Sequence, residues 1–199
     1  MADFKRTALE FDEIHKLVEA SIIKAGEEMP ADEESLKRTP EEDIIEDLLD
    51  ILILAYTRGN RDTNEMLGTD IKTDMEMMDK AIYYVIGGET FEDRARTHIR
   101  NEDPARLIEL AESEYHRVYS TAEFDTASAS GLPNIGKKWV TMLDDRVRAT
   151  HDFLEGVTVP LGEKFTTFDG DSALYPGGFE MAENNCQCRC VLEYTTSTI

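Results

Sequence analysis

Apolar residues recur every three to four positions through the first 130 residues of this 199-residue chain, and beyond that point the recurrence stops. The break divides the chain into a mainly helical region, 1–130, and a small β-containing module, 131–199. The expected class is therefore α+β.

Within the first region the punctuation is clear. Phe11, Ile14, Val18 and Ile22, with Leu17 on the same side, define a helix that Gly26 ends. Glu27 to Ser35 is a polar, acidic linker. Thr39-Pro40-Glu41-Glu42 has the form of a capping box with proline at the first helical position. The helix that follows carries Ile44, Ile45, Leu48, Leu49, Leu52 and Ile53 and is expected to stop near Gly59. Its broad apolar face marks it as the central helix. Ile71, Met75, Met78, Ile82 and Ile86 predict a third helix ending at Gly87-Gly88, with the methionines as core filler. Asn101-Glu102-Asp103-Pro104 caps a long helix with the stripe Leu107, Ala111, Tyr115, Val118 and Ala122. The small and hydroxylated run Thr126–Gly131, followed by Leu132-Pro133-Asn134, reads as a linker. Past it, Lys138–Met142, Val157–Val159 and Cys188–Leu192 are strand-like, and Arg146–Leu154 has room for two or three helical turns.

Composition narrows the functional classes. Hydrophobic residues make up 41% and charged residues 32%, as in a soluble globular protein. The net charge is −21. Such a surface repels phosphate backbones, which argues against direct DNA binding. Between Gly136 and Lys164 five basic residues balance five acidic ones, so the acidic excess lies elsewhere, mostly on the helical region. It serves either as a solvated, self-repelling surface or as a face for a basic protein partner. Ala2–Glu10 has no apolar core of the signal-peptide kind. Ile44–Tyr56 is the most apolar run, but Glu46, Asp47 and Asp50 interrupt it, and it falls short of the about 20 apolar residues that span a bilayer. It reads as a buried helix, not a membrane anchor. The three cysteines lie within five residues of one another and cannot staple a long loop, which suits a reducing host cytoplasm.

The densest motif runs from Lys137 to Cys190. It comprises Lys137-Lys138-Trp139, Asp144-Asp145-Arg146-Val147-Arg148-Ala149-Thr150-His151, Gly156, Val159-Pro160-Leu161 and Phe165. It ends with Tyr175-Pro176-Gly177-Gly178 and Asn185-Cys186-Gln187-Cys188-Arg189-Cys190. In order and spacing this resembles the C-terminal signature of the phage head-morphogenesis, Mu-F-like, minor head proteins. That signature reads Trp, Asp-x-Arg-Val-Arg-x-x-His, Gly with apolar residues, Phe, a Pro-Gly turn and Asn-Cys-Arg-Cys. The residues carrying the resemblance are Trp139, Asp144, Arg146, Arg148, His151, Gly156, Phe165, Pro176, Cys188 and Cys190. Glu114-Tyr115-His116 extends it toward the family's Thr-Glu-x-His. The cysteine run departs from the family. Gln187-Cys188-Arg189-Cys190 keeps the arginine and replaces the asparagine, whereas Asn185-Cys186-Gln187-Cys188 does the reverse. The apolar Val191-Leu192 favours the first alignment. The resemblance implies a structural minor head protein of a tailed phage, made in the host cytoplasm and carried in the head interior of the virion. Its implied partner is the portal or inner capsid protein, with oligomerisation open.

Two constellations could carry chemistry. If 186–190 were extended, Cys186, Cys188 and Cys190 would face one side, and with His151 would offer ligands for tetrahedral zinc. The Cys-x-x-Cys knuckle is absent, however, and buried cysteines on the core side of a terminal strand are the plainer expectation, with no cofactor. Asp144, Asp145, Arg146, Arg148 and His151 form a polar cluster that could serve phosphate chemistry. It lacks a nucleophile motif and a phosphate-binding glycine loop. The expectation is structural bracing, with Asp144-Asp145 capping a helix, Arg148 bracing a loop and no catalytic residue. Trp139, the single tryptophan, is expected to anchor the core with a bonded indole N–H. The alternative is a metal-dependent enzyme or toxin-like effector using His151 and the cysteine run.

Overall fold

The computed structural model describes residues 13–24 and 40–196. Helix α1 covers 13–24, with Ile14 and Val18 buried and Leu17 exposed. Phe11, Gly26, the acidic linker Glu27–Ser35 and the Thr39 cap lie outside the described residues.

The spine is α2 (Pro40–Leu67) packed along α5 (Pro104–Ala129). Glu41, Glu42 and Asp43 fill the first turn of α2, where the helix dipole favours negative charge. Ile44, Ile45, Leu48, Ile51, Leu52, Ala55 and Tyr56 are then buried, while Ile53 is exposed. The helix does not stop at Gly59. A Cβ there would lie 2.5 Å from the Tyr119 carbonyl oxygen and 2.9 Å from Ala122 Cβ, so the glycine lets α5 cross at close range. Around it the interface turns polar. Tyr56 Oη donates to Asp125 (2.9 Å), Asn60 Nδ2 to Thr126 Oγ1 (2.9 Å) and Tyr119 Oη to Asp62 (3.0 Å). Paired hydrogen bonds replace apolar burial, and periodicity cannot register that exchange.

The third helix, α3 (Met75–Ile82), is shorter than its apolar spacing predicts. Asp74 caps it at one end, and Ile86 belongs to a turn in which it bridges Glu89. Helix α4 (Phe91–Arg100) had no sequence expectation. It begins with a reciprocal capping box between Thr90 and Asp93 and buries only Phe91 and Ala95 completely. In α5 the whole stripe Leu107, Ala111, Tyr115, Val118 and Ala122 is buried, with Asp103 and Pro104 at its start. The helix runs on through Thr126 and Ala127, both buried, so the proposed linker begins later than expected; the turn comes at Gly131, with φ +65°.

The rest of the chain wraps one end of this spine. Strand β1 (Gly136–Val140) is the centre of an antiparallel sheet ordered β2-β1-β5, with β2 at Thr158–Pro160 and β5 at Val191–Thr195. Trp139 lies opposite Leu192, and Lys137 opposite Tyr194. A short hairpin, β3 (Phe165–Thr166) with β4 (Ser172–Ala173), and two single-turn helices, α6 (Ala149–Asp152) and α7 (Ala182–Asn185), complete an α+β fold. Arg146–Leu154 thus holds one helical turn rather than two or three, and Cys188 and Cys190 precede β5 rather than lying in it.

Candidate functional site

Most of the signature residues meet around Trp139. Its ring packs at 5.1 Å from Phe165, 5.3 Å from His151 and 5.7 Å from Phe179, and His151 stacks on Phe179 at 5.4 Å. All four are buried. The Trp139 indole Nε1 makes no hydrogen bond of ordinary geometry, contrary to expectation. It lies among the groups that favour the thiolate of Cys190. The Trp139 carbonyl accepts from Gly156 N (2.9 Å), and Gly156 takes φ +74°, where a side chain would be strained.

His151 comes from α6, and its Nδ1 lies 3.5 Å from Cys188 Sγ and 3.4 Å from Cys190 Sγ. Nε2 is buried without a hydrogen-bond partner. Gln187 adopts φ +52°, which breaks the extended run and turns Cys186 out to solvent. The expected single face of three sulfurs is therefore two. Burial alone would push the Cys188 thiol up, but hydrogen bonds from Cys190 and His151 outweigh it and hold it well below the ordinary value. The same sharing, with burial, pushes Cys190 up. One thiolate is thus stabilised between a second thiol and an imidazole.

The arginines brace this loop from outside. Arg148 Nη2 donates to the Cys186 carbonyl. Asp144 caps no helix, since α6 starts at Ala149 after Arg148 without a side-chain cap. Instead it takes Arg189 in a two-pronged pair at 2.8 and 2.6 Å and accepts from Arg146 N. The Arg189 pair holds the Asp144 carboxyl below its usual range. The Arg146 side chain is exposed and reaches Asp144 at 3.7 Å. Arg146, Arg148, Arg189, Met142 and Gln187 line a small recess beside the cysteines, with a volume of about 10 Å³, enough for one water molecule.

Ser113 and Asp171 had no sequence signal, and the motif named His116, Asn185, Gly177 and Lys137 without indicating their partners. From α5, His116 Nε2 meets the Cys190 carbonyl at 2.7 Å and Ser113 Oγ accepts from Gln187 N at 3.2 Å, tying the loop to the spine. Asp171 is buried and accepts from Ser172 N (2.9 Å), Glu180 N (3.2 Å), Met181 N (3.0 Å) and Asn184 Nδ2 (3.0 Å). Burial raises its affinity for a proton, but the four donors together leave it below the ordinary carboxylate range. Asn185 clamps the turn after buried Pro176 by donating to the Phe179 carbonyl (2.6 Å). Gly177, at φ +84°, presses against Arg117, where a Cβ would lie 3.2 Å from its Cα. Lys137 is fully buried, donates to the Leu174 carbonyl (2.7 Å) and lies over Phe124 and Phe165.

The model of the family described as Phage Mu protein F like protein matches residues 72–193, from before α3 into β5. This chain belongs to that family. It is 37% identical over 91 residues to the minor head protein GP7 of Bacillus phage SPP1, covering 45% of this chain and 29% of that one. It is also 34% identical over 88 residues to NAD(+)--arginine ADP-ribosyltransferase EFV of Enterococcus faecalis strain ATCC 700802 / V583, covering 43% of this chain and 18% of that one. The matches thus span less than a third of either relative. No solved structure matches.

Proposed function

We propose that this Mu-F-like chain is a structural minor head protein of a phage, incorporated during head formation through contact with the portal or the inner capsid surface and resident inside the head. The observation that carries the reading is the family match, which takes in nearly the whole body from α3 to β5. Similarity to a named minor head protein supports it. The site agrees with bracing. Its conspicuous polar groups hold loops and one another, and the recess beside His151 has about the volume of one water molecule. Among the described residues no helix is long and apolar enough to cross a membrane. The charge of −21 favours protein contact over duplex contact.

The test is co-expression with the portal and capsid proteins of the same phage, followed by sedimentation. The chain is expected to travel with portal oligomers or assembled heads, and to bind duplex DNA weakly or not at all at moderate salt. Failure to associate with any head component, or submicromolar duplex binding with a steep inverse salt slope, would overturn the reading. An enzyme is the second reading, favoured by the similarity to an ADP-ribosyltransferase. Incubation with labelled NAD and an arginine-bearing acceptor is expected to give no transfer.

A further inference from the structure

We infer that His151, Cys188 and Cys190 form a metal site that takes zinc, with His151 Nδ1 and the two sulfurs as three of four tetrahedral ligands. The three ligand atoms lie within 4.8 Å of one another and all three residues are buried. The spacing suits the metal closely. Zinc–sulfur bonds of about 2.3 Å and zinc–nitrogen bonds of about 2.0 Å at a tetrahedral angle put nitrogen and sulfur about 3.5 Å apart. The distances here are 3.5 and 3.4 Å. The ring is also turned the right way. Nδ1 faces both sulfurs, while Nε2, without a hydrogen-bond partner, lies on the other side of a ring packed by Trp139 and Phe179.

Two thiolates with one imidazole select a soft or borderline ion, and tetrahedral geometry without redox chemistry points to zinc. No fourth Cys, His, Asp or Glu joins the group among the described residues. The recess of about 10 Å³ next to it leaves the fourth position to a water molecule. Cys186, exposed and carrying its own carbonyl to Arg148, is not a ligand. The ion would fasten loop 186–190 to α6, tying the chain just before β5 to the turn that follows β1. A module this small gains from such a staple because its core alone is limited. The inference does not depend on the head-protein reading, since it concerns a bond set within the chain.

The experiment is metal analysis and cobalt substitution on the full, reduced chain. Protein purified without chelator is expected to carry one zinc per chain. Cobalt in its place should give a thiolate-to-cobalt absorption in the near ultraviolet and the strong visible bands of a tetrahedral ion. Both are expected to survive in Cys186→Ser and to vanish in Cys188→Ser and His151→Ala, and a strong chelator should lower the wild-type melting temperature. Because Cys188→Ser and His151→Ala disturb a packed core, the wild-type cobalt spectrum and Cys186→Ser decide the matter even if those two variants fail to fold. Reduced wild type without the thiolate–cobalt band, or a band lost in Cys186→Ser, overturns the proposal. So does a chain whose Cys188 and Cys190 are found joined as a disulfide when isolated without oxidant.

Discussion

In the helical region the buried side chains are mainly Ile, Leu, Ala and Tyr in stripes along α2 and α5, whereas the C-terminal module gathers Trp139, Phe165, Phe179 and Tyr194 around His151, Cys188 and Cys190. The first core is repetitive. Its residues are specified by where they fall on a helix, and neighbours of similar volume serve as well. The second is particular. Buried Lys137, Asp171, Asn184 and His151 each have fixed partners, and strands of two to five residues contribute few hydrogen bonds of their own. A module built this way depends on individual side chains where a bundle depends on a pattern.

The largest expected effect tests that contrast directly. Trp139→Ala should lose about 3–5 kcal/mol, the cost of emptying an aromatic site that cannot collapse. Leu52→Met, equally buried but volume-conserving, should lose less than about 1.5 kcal/mol. Denaturant unfolding measures both. Because Trp139 is the single tryptophan, its fluorescence follows the module while far-ultraviolet circular dichroism follows the helices. Equal losses in the two variants would dissolve the distinction between pattern and partner.

Next is the carboxylate that organises the loops of the module. Asp171→Asn keeps the shape but turns one acceptor into a donor among groups that all donate. It should cost about 1–3 kcal/mol at neutral pH, the range for hydrogen bonds to a charged group. The direction with pH follows from the lowered affinity for protons in the fold. A carboxyl bound this way stabilises above its unfolded value of about 3.9 and loses that contribution as pH falls through its folded value. Wild type should therefore weaken on acidification below about pH 4, and Asp171→Asn should show a shallower acid limb. An unchanged acid limb would mean that other carboxylates carry the effect.

How much of this was legible in the sequence also differs between the regions. The α5 stripe from Leu107 to Ala122 is buried as the spacing predicts, because periodicity and burial are the same fact on a packed helix. The end of α2 was not legible. Gly59 reads as a stop, and only the nearness of Tyr119 and Ala122 shows that it is a crossing point. Helix α4 escaped because two buried residues leave no stripe, although Thr90 and Asp93 carry a capping pattern. In the module, the signature named Trp139, Phe165, His151, Cys188 and Cys190, which do meet. It could not show that Gln187 would turn Cys186 away, or that Asp144 would hold Arg189 rather than cap a helix. Asp171, Lys137 and His116 owe their roles to partners 10, 37 and 74 positions distant, beyond any local pattern.

The smallest expected effect at neutral pH concerns Lys137, and it is informative through its slope. This residue has no solvent exposure, and burial pulls its ammonium down to about 8, with Glu163 acting weakly the other way. A lysine whose folded value lies below its unfolded value of about 10.4 destabilises the fold in its charged form. That cost is fully present below about pH 8 and is relieved as pH rises toward about 10, because the folded state gives up its proton first. Lys137→Met removes the buried charge but keeps the stem that fills the space between Phe124 and Phe165. It also gives up one hydrogen bond to the Leu174 carbonyl. The two changes oppose each other, so the variant should lie within about 1 kcal/mol of wild type at pH 7, as replaced buried charges often do. The difference between the two proteins should then move in favour of wild type by up to a few kcal/mol between pH 8 and 10, at 1.36 kcal/mol per unit of separation. Taking the difference cancels the tyrosines and cysteines that titrate in both chains. Leu52→Met, which leaves every ionisable group in place, should show no such drift. A flat difference for Lys137→Met would mean that this ammonium stays charged in the fold, held by the carbonyl and the two aromatic faces.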